Sequence, residues 1–119
     1  MDDGKRACIA LMSRMIAERT VTFKSVYDYK RLKYCMFSIN RNGQGNLSIY
    51  DYGRNGYIMG KNAMFYDSPS GAYFHIQQQG NLINGYDYSS GSYFTAIVHN
   101  STVSVYDYEH SSYFNYMVN

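Results

Sequence analysis

Few side chains in this 119-residue chain could do chemistry: three histidines, His75, His99 and His110, two cysteines, Cys8 and Cys35, and an aspartate that returns five times, always directly after a tyrosine, as Asp28, Asp51, Asp67, Asp87 and Asp107. Catalysis needs a base, a nucleophile or a metal held in a defined constellation. The histidines fall at unrelated repeat positions, one in a strand, one in a connector and one in a turn, and no HxH, HExxH or Cys/His spacing joins them. The cysteines form neither a CxxC pair nor a zinc spacing, and read as free buried thiols. The run Asn42-Gly43-Gln44-Gly45-Asn46 does not match a phosphate loop and reads as a connector. No catalytic residue, metal site or cofactor is therefore expected. The recurring carboxylates are left with the chemistry of hydrogen-bond acceptors, which turn amides or tyrosine hydroxyls would satisfy.

The elements that position those aspartates are written in the repeat itself. Tyr-Asp recurs at 27–28, 50–51, 66–67, 86–87 and 106–107, and in every copy another tyrosine stands seven residues after the first: Tyr34, Tyr57, Tyr73, Tyr93 and Tyr113. The unit is apolar-x-apolar-Tyr-Asp-Tyr-x4-Tyr-apolar, with Ser68 replacing the middle tyrosine of the third copy. The intervening residues, such as Gly53-Arg54-Asn55-Gly56 and Ser89-Ser90-Gly91-Ser92, carry turn chemistry, so each unit reads as a β-hairpin that turns between its tyrosines.

A turn centred on those four residues places Tyr88 opposite Tyr93 and Asp87 opposite Phe94. One face then carries Ile83, Asp87, Phe94, Ala96 and Val98, with Gly85 leaving a gap, and the other carries Tyr86, Tyr88 and Tyr93. The last copy divides in the same way, Val103, Val105, Asp107, Phe114, Tyr116 and Val118 against Tyr106, Tyr108 and Tyr113. An isolated hairpin is unstable in water, so the copies must bury a face against one another. The tyrosines suit both packing and a ligand platform. Any periodic ligand surface is expected at Tyr66, Tyr73, Tyr86, Tyr88, Tyr93, Tyr106, Tyr108 and Tyr113, in the copies of most regular spacing.

The remaining segment, residues 1–19, differs in kind. Cys8, Leu11, Met12, Met15 and Ile16 fall at helical spacing while Lys5, Arg6, Ser13, Arg14 and Glu18 fall elsewhere, and Asp2 and Asp3 suit a helix start. An amphipathic helix is expected from Asp3 to Glu18, capping the open end of the hairpin array in residues 20–119, or else mediating dimerisation, since the last repeat runs to Asn119 with no cap of its own. The fold class is thus all-β: four or five tandem antiparallel hairpins in a flower-like or solenoid array, with one N-terminal helix. The first copy has Lys30-Arg31-Leu32-Lys33 in its loop in place of turn residues, so either it is not a petal and four hairpins form, or all five do.

Of the composition, 15 Tyr, 6 Phe and 10 Gly with a single Pro argue for β-structure. The net charge is +2, yet no Lys or Arg occurs from Asn62 onward, so the repeats lack the spread of cations that a nucleic-acid surface needs. The apolar stretch Ala7 to Met12 is too short and too soon charged to span a bilayer or serve as a secretory signal, which points to a cytoplasmic protein without membrane contact.

The segments Ile49-Tyr50-Asp51-Tyr52-Gly53, Gly85-Tyr86-Asp87-Tyr88-Ser89-Ser90-Gly91 and Val105-Tyr106-Asp107-Tyr108 resemble the bacterial four-fold β-flower family, in which short Tyr-Asp hairpins stand as petals about an axis. That resemblance implies a hairpin architecture and brings no activity with it, and it departs in having five copies and no Trp. A second, weaker similarity is to choline-binding aromatic hairpin repeats, whose cages are rich in Trp. The expected function is a non-catalytic structural or protein-interaction module, with a carbohydrate or small-ligand module using the tyrosine faces as the alternative. Self-association is expected to close leftover strand edges and aromatic surface, the alternative being a monomer whose hairpins close on one another while the helix plugs the remaining opening.

Overall fold

The computed structural model describes residues 1–19 and 23–119. One helix, α1 (Asp3–Glu18), precedes ten strands: β1 (Ser25–Asp28), β2 (Lys33–Arg41), β3 (Leu47–Asp51), β4 (Gly56–Lys61), β5 (Met64–Asp67), β6 (Ala72–Gln79), β7 (Leu82–Asp87), β8 (Ser92–His99), β9 (Thr102–Asp107) and β10 (Ser112–Val118). Five hairpins behind one helix are what the repeat count led us to expect, and the first copy is a true hairpin, with Tyr27 paired to Tyr34. Their arrangement is a ring. Each strand pairs antiparallel with its sequence neighbour, and β1 pairs β10 through Val26 and Val118 to close a barrel. Closure removes the free strand edges, one of the two grounds for expecting self-association, and leaves the exposed aromatic surface as the other.

The two faces of every strand divide as the period of two requires. Ile83, Gly85 and Asp87 of β7 are buried, with Phe94 and Ala96 of β8, Val103, Val105 and Asp107 of β9, and Tyr116 and Val118 of β10. The repeat tyrosines point outward. The register, however, is not the expected one: Tyr86 rather than Tyr88 faces Tyr93, Gly85 faces Phe94, and Asp87 faces Ser92. The pairing has slipped by two residues, which leaves every side chain on its expected face. The cause is the loop. Its four residues are Tyr88–Gly91, starting one residue earlier than expected, and the last of them adopts positive φ so that Gly91 N–H can donate to the Asp87 carbonyl at 2.9 Å. The same position is left-handed in all five hairpins, at Leu32, Asn55, Gly71, Gly91 and Ser111.

A ten-stranded barrel is wider than its own side chains readily fill, and here α1 runs through the lumen. Residues Ala7 to Leu11 are consecutive and almost wholly inaccessible, covering more than one full turn, so the helix has no solvent face along this stretch. This corrects the expectation of an amphipathic cap on an open end and agrees with the alternative of a helix plugging hairpins that close on one another: besides the expected stripe, Ala7, Ile9, Ala10 and Ser13 are buried, and so are Lys5 and Arg6. Small residues at Ala7, Cys8, Ala10 and Ser13 let the strands approach, and Ser13 returns its hydroxyl to the Ile9 carbonyl at 2.7 Å. Asp2 caps the N-terminus by accepting from Lys5 N–H at 2.7 Å, as the early acidic pair implied.

Gly85 shows how tightly the wall is packed. A Cβ there would overlap the Phe94 ring and the His75 carbonyl, so the phenyl group fills the space that the glycine leaves. Gly85→Ala is expected to destabilise the chain by at least about 1–3 kcal/mol in urea unfolding, the usual range for overpacking. Gly43→Ala, where nothing lies within 4 Å of the added atom, should leave the midpoint unchanged.

Candidate functional site: a buried carboxylate ring and an outer tyrosine belt

All five repeat aspartates end an inward-facing strand position at the same rim of the barrel and are at most 2% exposed. Burying one ionised carboxylate without partners is prohibitive, and burying five in one place is more so. Turn amides satisfy part of the demand, as expected. Asp28 Oδ1 accepts from Lys30 and Arg31 N–H at 3.0 and 3.2 Å, Asp51 Oδ1 from Gly53 and Arg54 N–H at 3.0 and 3.2 Å, and Asp107 Oδ1 from Glu109 N–H at 3.0 Å. No tyrosine hydroxyl contributes among the described residues.

The rest of the demand is met by cations. Arg31 Nε donates to Asp28 at 2.6 Å, and Arg54 bridges two copies, with Nε on Asp51 at 2.7 Å and its two terminal nitrogens forked on Asp67 at 2.9 and 2.8 Å. Gly4 makes room for this arginine, since a Cβ there would stand 2.7 Å from Arg54 Cδ. From inside the lumen, Lys5 pairs with Asp87, lies 3.8 Å from Asp67, and donates to Ser70 and Ser89 hydroxyls at 3.1 and 3.2 Å. Arg6 donates to Asp107 at 3.2 and 3.1 Å and to Asp3 at 2.9 Å, and its guanidinium stacks 3.6 Å from the Phe114 ring centre. The positive end of the helix dipole points at the same rim.

Two signals for this network are present in the sequence and went unread. The residue three after each repeat Asp is always a polar donor, Arg31, Arg54, Ser70, Ser90 and His110, and in four copies its side chain reaches the carboxylate: the Ser90 hydroxyl donates to Asp87 at 2.7 Å and His110 Nδ1 lies 3.0 Å from Asp107. Lys5 and Arg6 stand side by side on a helix whose surroundings are apolar. Asp107, Glu109 and His110 offer ligand atoms within 4.8 Å of one another, but Arg6 already occupies Asp107, so this trio reads as the end of the ion-pair network.

Burial would raise the Asp87 carboxyl, but hydrogen bonds from Lys5, Ser90 and Ser89 outweigh it and hold the group below the ordinary value of 3.8. Asp3, drawn the same way by Lys30 and Arg6 against its own burial, is also lowered. Burial pushes the Cys8 and Cys35 thiols up, away from the nucleophilic thiolate form.

Outside the barrel, the tyrosines flank these aspartates. In four hairpins the first tyrosine of the unit sits between two others, edge to face, at centroid distances of 4.7–5.0 Å: Tyr27 with Tyr29 and Tyr34, Tyr50 with Tyr52 and Tyr57, Tyr86 with Tyr88 and Tyr93, Tyr106 with Tyr108 and Tyr113. The third hairpin keeps only Tyr66 with Tyr73. Of the tyrosines singled out from the sequence, Tyr66, Tyr86 and Tyr106 are half-buried and Tyr73, Tyr88, Tyr93, Tyr108 and Tyr113 exposed. Tyr116, the one inward tyrosine, is fully buried, and burial pushes its hydroxyl up despite the opposing pull of Arg6. Between strands, a groove of about 630 Å³ on the outer wall of β6, β7 and β8 is lined by His75, Gln77, Gln79, Asn84, Tyr86, Tyr93, Thr95 and Tyr108 among others. His75 is in this wall, His99 ends β8 and His110 lies in the last loop, so the histidines are not brought together. Comparison with protein families, curated proteins and solved structures returns no match.

Two outcomes follow from the buried ring. Lys5→Met strands the Asp87 carboxylate and should cost about 3–5 kcal/mol, the usual penalty for breaking a buried pair. Adding Asp87→Asn should cost at least about 1 kcal/mol less than the sum of the single losses, read from a urea double-mutant cycle. Because the Asp87 and Asp3 values are depressed, their contribution is complete above the unfolded carboxylate pKa of about 3.9 and is lost as pH falls through the lower folded value. Thermal melts should therefore show stability falling below about pH 4, with a shallower fall in Asp87→Asn.

Proposed function

We propose that this chain is a non-catalytic binding module whose recognition surface is the tyrosine belt on the outer wall. The observation that carries this reading is the exposure of edge-to-face tyrosine clusters around a barrel whose interior is already filled. Tyr88 and Tyr108 are 55% and 53% exposed, and Tyr93 and Tyr113 65% and 61%. Tyrosines buried against neighbours or across a subunit interface would have favoured a protein-interaction or assembly module, and of the four that separate the two readings Tyr88 and Tyr108 are exposed while Tyr86 and Tyr106 are half-buried. Exposed ones held rigidly by their neighbours favour a platform, since two-torsion aromatic side chains lose little entropy when a ligand covers them.

The carboxylates support the non-catalytic half, and His75 in the outer groove has neither of the other two histidines beside it. The five aspartates are engaged inside the rim by cations and turn amides, and no Asp or Glu lines the outer groove. A cytoplasmic setting is part of the proposal. No helix is long and apolar enough to cross a membrane among the described residues. Beyond the tyrosines the outward positions mix the polar Ser38, Asn40, Gln77, Asn84, Ser104 and Asn115 with the apolar Met36, Met59, Met64, Leu82 and Ile97, whereas a lipid-facing barrel wall carries a continuous apolar band.

The double variant Tyr88→Ala/Tyr108→Ala tests the reading. Each truncation removes one edge-to-face partner, so the fold should survive with a loss of about 0.5–1.5 kcal/mol per site. The native chain is expected either to co-sediment with an insoluble polysaccharide (cellulose, chitin or peptidoglycan) or to self-associate in analytical ultracentrifugation, and the folded variant is expected to lose that association. A native chain that does neither, or a variant that associates unchanged, contradicts the belt as a recognition surface.

A further inference from the structure

The outer groove over β6, β7 and β8 has a more specific chemistry than the belt around it. Its floor and sides follow from the register. His75 stands beside Tyr86, which stands beside Tyr93. In the next outward row Gln77 stands beside Asn84, which stands beside Thr95. The groove is thus an aromatic pair bordered by a row of neutral hydrogen-bonding groups, extended by Gln79, Ser92 and Tyr108. Asn84 Nδ2 donates to Gln79 Oε1 at 2.5 Å, which fixes the relative position of two of the three amides before any ligand arrives.

Part of the same construction recurs two hairpins earlier, with Met59 at the place of Thr95. Ser38 pairs with Tyr50, which pairs with Tyr57, and Asn40 pairs with Ser48, forming a smaller groove of about 330 Å³ that Tyr52 also lines. In the third hairpin the equivalent places hold Met59, Lys61 and Met64, and no such polar row exists. The feature is therefore a repeat position that the copies furnish differently: the fourth has Gln77, Asn84 and Thr95, the second Asn40 and Ser48 beside Met59, and the fifth Ser104 and Asn115 beside Ile97.

Resting on the recognition reading above, we infer that the groove over β6–β8 binds a neutral carbohydrate. Side-chain amides and hydroxyls each offer donors and acceptors, as sugar hydroxyls do, and a tyrosine ring offers an apolar face to the C–H side of a pyranose. The volume lies within the roughly 300–1,000 Å³ range of small-molecule sites. An anionic ligand is disfavoured because no Lys or Arg lines the groove and His75 is its one side chain able to carry positive charge, and a wholly apolar one because it would strip water from three amides without replacing their hydrogen bonds.

The test is an NMR titration of the full ¹⁵N-labelled chain with cellohexaose, maltohexaose, laminarihexaose and N-acetyl-chitohexaose, with a galacturonic acid hexamer as the anionic comparator. At least one neutral sugar is expected to shift the Asn84, Thr95 and Gly91 amides and the Gln77 and Asn84 side-chain NH2 signals at up to millimolar concentration. Gln77→Ala/Asn84→Ala, both outward positions, should keep the native melting midpoint and weaken that binding at least about tenfold, the effect of losing on the order of one good hydrogen bond. Shifts confined to other tyrosine clusters and indifferent to the variant would overturn the groove and leave the belt reading standing. Equal response to the galacturonic acid hexamer would overturn the neutral class. Groove shifts that grow with protein concentration alone would mean that a second copy of the chain is the occupant, and overturn it. No shift with any sugar would overturn it as well, and the belt would then stand or fall on the Tyr88/Tyr108 variant.

Discussion

Everything else in this protein is arranged around the need to bury five carboxylates at one end of one barrel. A single buried aspartate can be satisfied by the amides of its own loop. Five around a common rim repel one another through a low-dielectric interior, and local hydrogen bonds cannot cancel that. The charge has to be met by cations held at the same height, and Arg31 and Arg54 from the loops with Lys5 and Arg6 from the helix do so. The helix is thus more than a space-filler. Its first turn brings two cations and a positive dipole end to the rim, and its apolar body fills the lumen below. An isolated helix of this length would be marginal in water, and hairpins this short would be unstable alone, so each half supplies what the other lacks.

The inner arrangement also accounts for the outer one. Asp sits immediately after the first tyrosine of each unit, and strand side chains alternate, so fixing every Asp inward fixes the flanking tyrosines outward. The loop places the third tyrosine directly across from the first. The belt is in this sense a geometric consequence of the carboxylate ring, and the rows behind it are where the copies are free to differ. The fourth copy has used that freedom to build a wholly polar row, the second and fifth mix polar groups with Met59 and Ile97, and the third places Met59 and Met64 there with Lys61.

The all-β class, the hairpin count and the inside/outside partition were legible because they depend on repetition and on a period of two, which survives even a register slip of two residues. The slip itself was not legible from glycine alone. The left-handed loop position holds Gly in two copies but Leu32, Asn55 and Ser111 in the others, so the turn type is set by the carboxylate gripping the loop amides as much as by residue preference. The burial of Lys5 and Arg6 was hidden for another reason. Helical periodicity assumes that a helix has a solvent side, and α1 has none from Lys5 to Ser13, so polar residues there mark buried partners. The outer groove was only half visible: its tyrosines belong to the motif, but Gln77, Asn84 and Thr95 come together through pairing across three strands.

The central claim is that α1 and the barrel form one cooperative unit locked by the buried ion pairs. Native-state hydrogen exchange of the amides from Ala10 to Met15 measures this most directly. If the claim holds, these amides exchange only through global unfolding, with the same opening free energy and denaturant dependence as the slowest amides of β7, β8 and β9. Exchange of the helix through a separate, lower-energy opening, with the barrel amides still protected, would contradict it.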